Sequence, residues 1–129
     1  MKINSIHHIA VIAGNYEESK RFYTEVLGFE ILNEVYRAER DSYKLDLAVN
    51  GKYQIELFSF PEYRERASFP EAKGLRHLAF AVDNVAEWIE FLRSKNVDVQ
   101  DVRIDEHTGK RFTFFYDPNG QPLELYEEI

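Results

Sequence analysis

Apolar and polar positions run through one order of elements twice. Ile6 to Ala13 is a short apolar run rich in β-branched residues, which predicts a strand. Asn15 with Glu18 three residues on forms a capping box, and Tyr16, Ser19, Phe22, Tyr23, Val26 and Leu27 then fall on one helical stripe, ended by Gly28. Three further strands are expected at Phe29 to Tyr36, Tyr43 to Val49 and Tyr53 to Phe60, the last two joined by Asn50-Gly51, a pair suited to a two-residue hairpin turn. The second pass begins with a strand at Leu75 to Val82. A capping box at Asn84 and Glu87 follows, with Val85, Trp88, Ile89, Phe91 and Leu92 as the buried stripe. Strands at Val97 to Ile104, Arg111 to Tyr116 and Pro122 to Glu127 complete it, with Asp117-Pro118-Asn119-Gly120 as a turn.

The two passes superimpose. Sliding the chain by 69 residues lays His8-Ile9-Ala10-Val11 over His77-Leu78-Ala79-Phe80, Glu18 over Glu87, Phe22 over Phe91 and Asn50-Gly51 over Asn119-Gly120. One residue less lays Ile55-Glu56-Leu57-Phe58 over Leu123-Glu124-Leu125-Tyr126. The expected fold is therefore α+β. Two β-α-β-β-β modules, 1–60 and 75–129, are joined by a polar linker or flap at 61–74 within a single domain 1–129.

Strand parity then sorts the chemistry. His8 shares a face with Ala10 and Ile12, His77 with Ala79 and Ala81, Glu56 with Gln54 and Phe58, and Glu124 with Pro122 and Tyr126. The opposite faces are uniformly apolar and suit burial under the helices. An imidazole or carboxylate on a largely covered strand face is costly unless it is paired or bound to a cation, so four at equivalent places call for a shared partner. Two imidazoles and two carboxylates suit one divalent ion: Zn, Ni, Co, Mn or Fe. His7 and His107 have no repeat partner and are left outside the site.

Composition narrows the field. The chain has 129 residues, 44% hydrophobic and 15% aromatic, with 16 basic against 23 acidic side chains and a net charge of -7. That balance argues against nucleic acid and acidic membranes as partners. No apolar stretch approaches a bilayer span and the start lacks a secretory segment, so a cytoplasmic protein is expected. With no cysteine, metal ligation falls to the four histidines and the carboxylates.

The motifs His8-Ile9-Ala10-Val11, Ser19-Lys20-Arg21-Phe22-Tyr23-Thr24-Glu25-Val26-Leu27-Gly28-Phe29, Ile55-Glu56-Leu57, Arg76-His77-Leu78-Ala79-Phe80 and Asp117-Pro118-Asn119-Gly120 with Leu123-Glu124-Leu125 carry a resemblance over essentially the whole chain. It resembles the vicinal oxygen chelate superfamily, which contains glyoxalase I, methylmalonyl-CoA epimerase, bleomycin and fosfomycin resistance proteins and extradiol dioxygenases. The resemblance implies an incomplete barrel around one metal held by His8, Glu56, His77 and Glu124, and a homodimer. A glutamate at position 56 is similar to the four-ligand members, such as bacterial glyoxalase I. Their chemistry moves a proton beside a carbonyl through a metal-stabilised enediolate. By that resemblance the expected function is a metal-dependent lyase or isomerase acting on a small α-oxo or thiol-adduct substrate, with Glu56 or Glu124 as base. The alternatives are a small-molecule binding or resistance protein and an extradiol-type dioxygenase. After Glu56 the chain reads Leu57-Phe58-Ser59-Phe60-Pro61 and lacks the Asn-Trp-Gly of bacterial glyoxalases, a departure that leaves the choice between glutathione and another thiol open. Candidate substrate contacts are Arg37, Phe58, Lys110 and Arg111, with Arg64 and Arg66 on the linker.

Overall fold

The protein is described from a computed structural model, in which residues 1–128 are placed. The chain folds as two compact units, one formed by residues 1–65 and one from Arg66 onward. Each unit carries one four-stranded sheet, and the architecture is mixed α+β with no closed barrel.

In the first unit the strands are β1 (Ile9–Ala13), β2 (Glu30–Arg37), β3 (Ser42–Val49) and β4 (Lys52–Ser59), in the order β1-β4-β3-β2. β1 runs parallel to β4 with Ile9 beside Ile55, and β4 pairs antiparallel with β3, which pairs antiparallel with β2. The tight β3–β4 turn holds Asn50 and Gly51 at φ of 49° and 78°, the left-handed conformations that the Asn-Gly pair tolerates. Between β1 and β2, α1 (Tyr16–Arg21) starts at Asn15, whose side chain accepts the Glu18 N–H. The expected helix does not continue as a regular α-helix. Thr24 Oγ1 takes the Lys20 carbonyl at 2.7 Å, and the chain widens into a π-helical turn over Phe22–Val26 in which the Leu27 N–H reaches back to the Phe22 carbonyl. The stripe still buries Tyr16, Ser19, Phe22, Tyr23 and Leu27.

In the second unit β5 (Leu78–Val82), β6 (Arg103–Ile104), β7 (Arg111–Tyr116) and β8 (Pro122–Glu127) repeat the design in the order β5-β8-β7-β6. β5 is parallel to β8 with Ala79 beside Glu124, as Ala10 stands beside Glu56. The helix α2 (Val85–Ser94) is capped by Asn84 and buries Val85, Ile89 and Leu92. Phe91 lies on its flank, 38% exposed, against Trp88.

Three strands are shorter than their apolar runs. β1 and β5 begin at Ile9 and Leu78, where parallel pairing to β4 and β8 begins. The run Val97 to Ile104 keeps a single bridge at Val99 and the two-residue β6, and between them the Thr113 hydroxyl donates to the Gln100 carbonyl at 2.8 Å. Among the described residues no helix is long and apolar enough to cross a membrane.

Candidate functional site

The parity that buries Val11, Ala13, Ile55 and Leu57 on one face of the first sheet turns His8 and Glu56 to the other. His8 Nε2 lies 2.7 Å from Glu56 Oε2, with the carboxylate side chain 8% exposed and the ring 41%. The second module repeats the contact: His77 Nε2 lies 3.0 Å from Glu124 Oε2, with Leu123 and Leu125 buried on the opposite face. Each module thus delivers one imidazole and one carboxylate of the predicted set. Among the described residues no group of three or more His, Asp or Glu side chains is gathered for a metal.

The surroundings of the two glutamates differ, which the repeat conceals. Across the β3–β4 ladder Glu56 faces Asp46, and Lys44 Nζ bridges the two at 2.6 Å from Asp46 Oδ1 and 3.4 Å from Glu56 Oε1. The Asp46 contact, opposed by burial and aided by Glu56, holds the Lys44 ammonium above its ordinary pKa. Tyr53 also hydrogen-bonds here, its hydroxyl pushed up by burial and then by the neighbouring Glu56 and Asp46 carboxylates. Across the β7–β8 ladder Glu124 instead faces Phe114, and His77 is its side chain's only ion-pair or hydrogen-bond partner among the described residues. The His77 ring stands edge-on to Phe114 at 5.0 Å, with Nδ1 buried and unpartnered.

His7, which lacks a repeat partner, supports its neighbour: the Nδ1 atoms of His7 and His8 are 2.8 Å apart. At the matching place in the second module stands Arg76. His107 is exposed on the loop before β7.

Of the candidate substrate contacts, Arg37 and Phe58 come together. The Arg37 guanidinium lies 4.9 Å from the Phe58 ring centroid and donates to Ser42 Oγ, while its Nε is buried without a partner. Lys110 lies on the loop leading into β7, and Arg64 is exposed. Arg66 is tied to Gln121 and to the carbonyls of Leu75 and Arg76. Arg111 points to the face opposite Glu124, with Nε and Nη2 each 2.9 Å from Glu127 Oε1.

Glu127 also accepts the Val85 N–H at the start of α2, and that bond, ahead of Arg111, holds its carboxyl below the ordinary range. A depressed folded-state pKa adds stability that is present above the ordinary glutamate value of about 4.3 and lost as pH falls through the lowered one. In urea titrations, Glu127→Gln should therefore destabilise the protein at pH 7 and leave a shallower acid decline than wild type; parallel declines would assign the acid transition to other groups.

The second module also lines a pocket of about 200 Å³. Its walls include Arg66, Phe69, Arg76, His77, Arg103 and Phe114. Sequence parity gave no signal for Arg103 or Lys44, since each acquires its role from a neighbouring strand.

The sequence profile of the Glyoxalase/Bleomycin resistance protein/Dioxygenase superfamily matches residues 5–125. Uncharacterized protein YaeR of Escherichia coli is 57% identical, covering 98% of each chain. The crystal structure of a glyoxalase family protein from Enterococcus faecalis superimposes with a TM-score of 0.90 at 46% identity, covering 98% of this chain and all of that one. Lactoylglutathione lyase of Escherichia coli O157:H7 is 31% identical, over 94% of this chain and 90% of its own. Metallothiol transferase FosB of Staphylococcus saprophyticus is 28% identical, over 96% and 77%.

Proposed function

Because the chain belongs to the Glyoxalase/Bleomycin resistance protein/Dioxygenase superfamily, we propose that it is a metal-dependent lyase or isomerase of the glyoxalase I type, acting on a small α-oxo or thiol-adduct substrate. In this proposal His8, Glu56, His77 and Glu124 supply the ligand set of one divalent ion. The observation that carries the proposal is the duplicated His–Glu contact, with a largely covered glutamate side chain in each module, 8% exposed at Glu56 and 12% at Glu124. The contacts of 2.7 and 3.0 Å set an imidazole nitrogen beside a carboxylate oxygen in each module, the donor types that would hold such an ion. Two imidazoles and two carboxylates suit Zn, Ni, Co, Mn or Fe alike.

A bound ion would supply Lewis-acid stabilisation of charge developing on a carbonyl oxygen. The chain's own contribution is proton movement. A carboxylate that collects a proton from the adjacent carbon must be free to turn toward it, and Glu124 fits that role because Phe114 rather than a cation stands across from it. Glu56, engaged by His8, Lys44 and Tyr53, is held in place. The protein would act on a small molecule, in the cytoplasm and as a homodimer; exposed apolar residues along β2, Ile31, Leu32, Val35 and Tyr36, support the last point.

The test is metal analysis of the purified protein together with solvent deuterium exchange into α-oxo compounds. About one divalent ion per chain is expected, lost in His77→Ala, and exchange should require it. Absence of metal binding after reconstitution would sink the proposal and favour a binding cup for an antibiotic or metabolite. Oxygen consumption with catechols would favour a dioxygenase.

A further inference from the structure

The pocket of the second module has a chemical bias that the repeat does not share. The positions matching Lys44 and Asp46 are Phe112 and Phe114, and the Arg103 guanidinium lies over both rings, 5.0 and 5.1 Å from their centroids. Phe114 in turn meets the His77 ring edge-on, so Arg103, Phe114 and His77 form one continuous wall. Three guanidiniums and one carboxylate, Glu71, line this pocket in a protein whose net charge is -7.

The three guanidiniums are not equivalent. Arg66 is occupied by Gln121 and two backbone carbonyls, and Arg76 pairs with Glu71 at 3.3 Å. The Arg103 guanidinium gives one N–H to Gln100 Oε1 and has no other hydrogen-bond partner among the described residues. An arginine carries five donors in a planar fork matched to a carboxylate, and contact with two rings restricts the place of its head before a ligand arrives. Phe69, Phe114 and Tyr116 add aromatic faces to a lining otherwise made of small and polar residues such as Ala67, Ser68 and Gln100. A volume of about 200 Å³ falls below the roughly 300 to 1,000 Å³ of sites for drug-sized ligands, which points to a small metabolite.

We propose that Arg103 anchors a carboxylate, and that the substrate is a small α-oxo acid with a flat apolar body lying along Phe114 toward His77. This rests on the reading that His77 and Glu124 belong to the reaction site. The probes are benzoylformate and its neutral methyl ester, titrated calorimetrically into metal-free and zinc-loaded protein. Metal-free wild type should bind the acid at least about 10-fold more tightly than the ester. Arg103→Gln should weaken the acid by about 10- to 100-fold, the loss of hydrogen bonds to a charged group, with the ester unchanged. Arg103→Lys should recover part of the preference, since it restores the charge without the fork. Equal binding of acid and ester by wild type, or a preference that survives Arg103→Gln in a variant with unchanged thermal stability, would overturn the proposal. Failure of zinc to bind would count against the metal reading alone, because the acid preference is measured without metal; failure of the preference would leave zinc binding intact.

Discussion

Glu124→Gln is expected to lower solvent deuterium exchange at the carbonyl-adjacent carbon by about 10²- to 10⁴-fold, the range contributed by a positioned general base. The side chains are isosteric, so the β7–β8 ladder and the buried face carrying Leu123 and Leu125 have no reason to shift. What the amide lacks is a proton-accepting oxygen. Glu56→Gln removes the same group from the first module, yet its consequences should differ. Glu56 is 6% exposed and engaged by His8, Lys44 and Tyr53. Its amide leaves Lys44 with Asp46 as its carboxylate partner, and the loss of an anionic donor should chiefly weaken metal retention. Exchange rates and metal content measured side by side separate the two. Retained metal with lost exchange in Glu124→Gln supports Glu124 as base, whereas unchanged exchange there with loss in metal-loaded Glu56→Gln would move the proton transfer to the first module.

Phe115→Ala is expected to cost about 3 to 5 kcal/mol of folding stability, a large fraction of the 5 to 15 kcal/mol typical of a small protein. Phe115 is 0% exposed and shares the covered face of its sheet with Thr113, Leu123 and Leu125. Its backbone also forms the one bridge to Val99 that survives of the interrupted edge strand. Truncation removes ring contacts and leaves a cavity under α2 that rigid neighbours fill only partly. One residue earlier, Phe114 stands on the open face against His77 and Arg103, and Phe114→Ala should cost far less stability. Urea midpoints for the two variants provide the check. Similar losses would contradict the assignment of Phe115 to the covered face and Phe114 to the site face.

That contrast also shows why part of the fold is visible in the residues themselves. Alternation at period two is local, so the apolar runs alone place Ile55 and Leu57 on one face with Glu56 on the other, and Leu123 and Leu125 opposite Glu124. Capping is local too, and Asn15 and Asn84 start helices where their side chains reach the third amide on. Strand lengths were less visible, because a run such as Ile6 to Ala13 is apolar whether or not a partner lies beside all of it. The π-helical turn over Phe22–Val26 was hidden because the apolar stripe reads the same with or without one widened turn.

By itself the sequence determined the two β-α-β-β-β modules, the membership of the family and the placing of one histidine and one glutamate at equivalent positions in each half. Tertiary structure alone decided how the two halves differ. Lys44 and Asp46 flank Glu56 while Phe112 and Phe114 take the corresponding places near Glu124. Arg103 stacks over the site face, whereas Arg111, equally basic in sequence, is tied to Glu127 on the other. The physical reason is register. Side-chain parity depends only on a residue's own strand, but its neighbours are fixed by hydrogen-bonded pairing with residues far along the chain, and a one-residue slip would exchange every one of them.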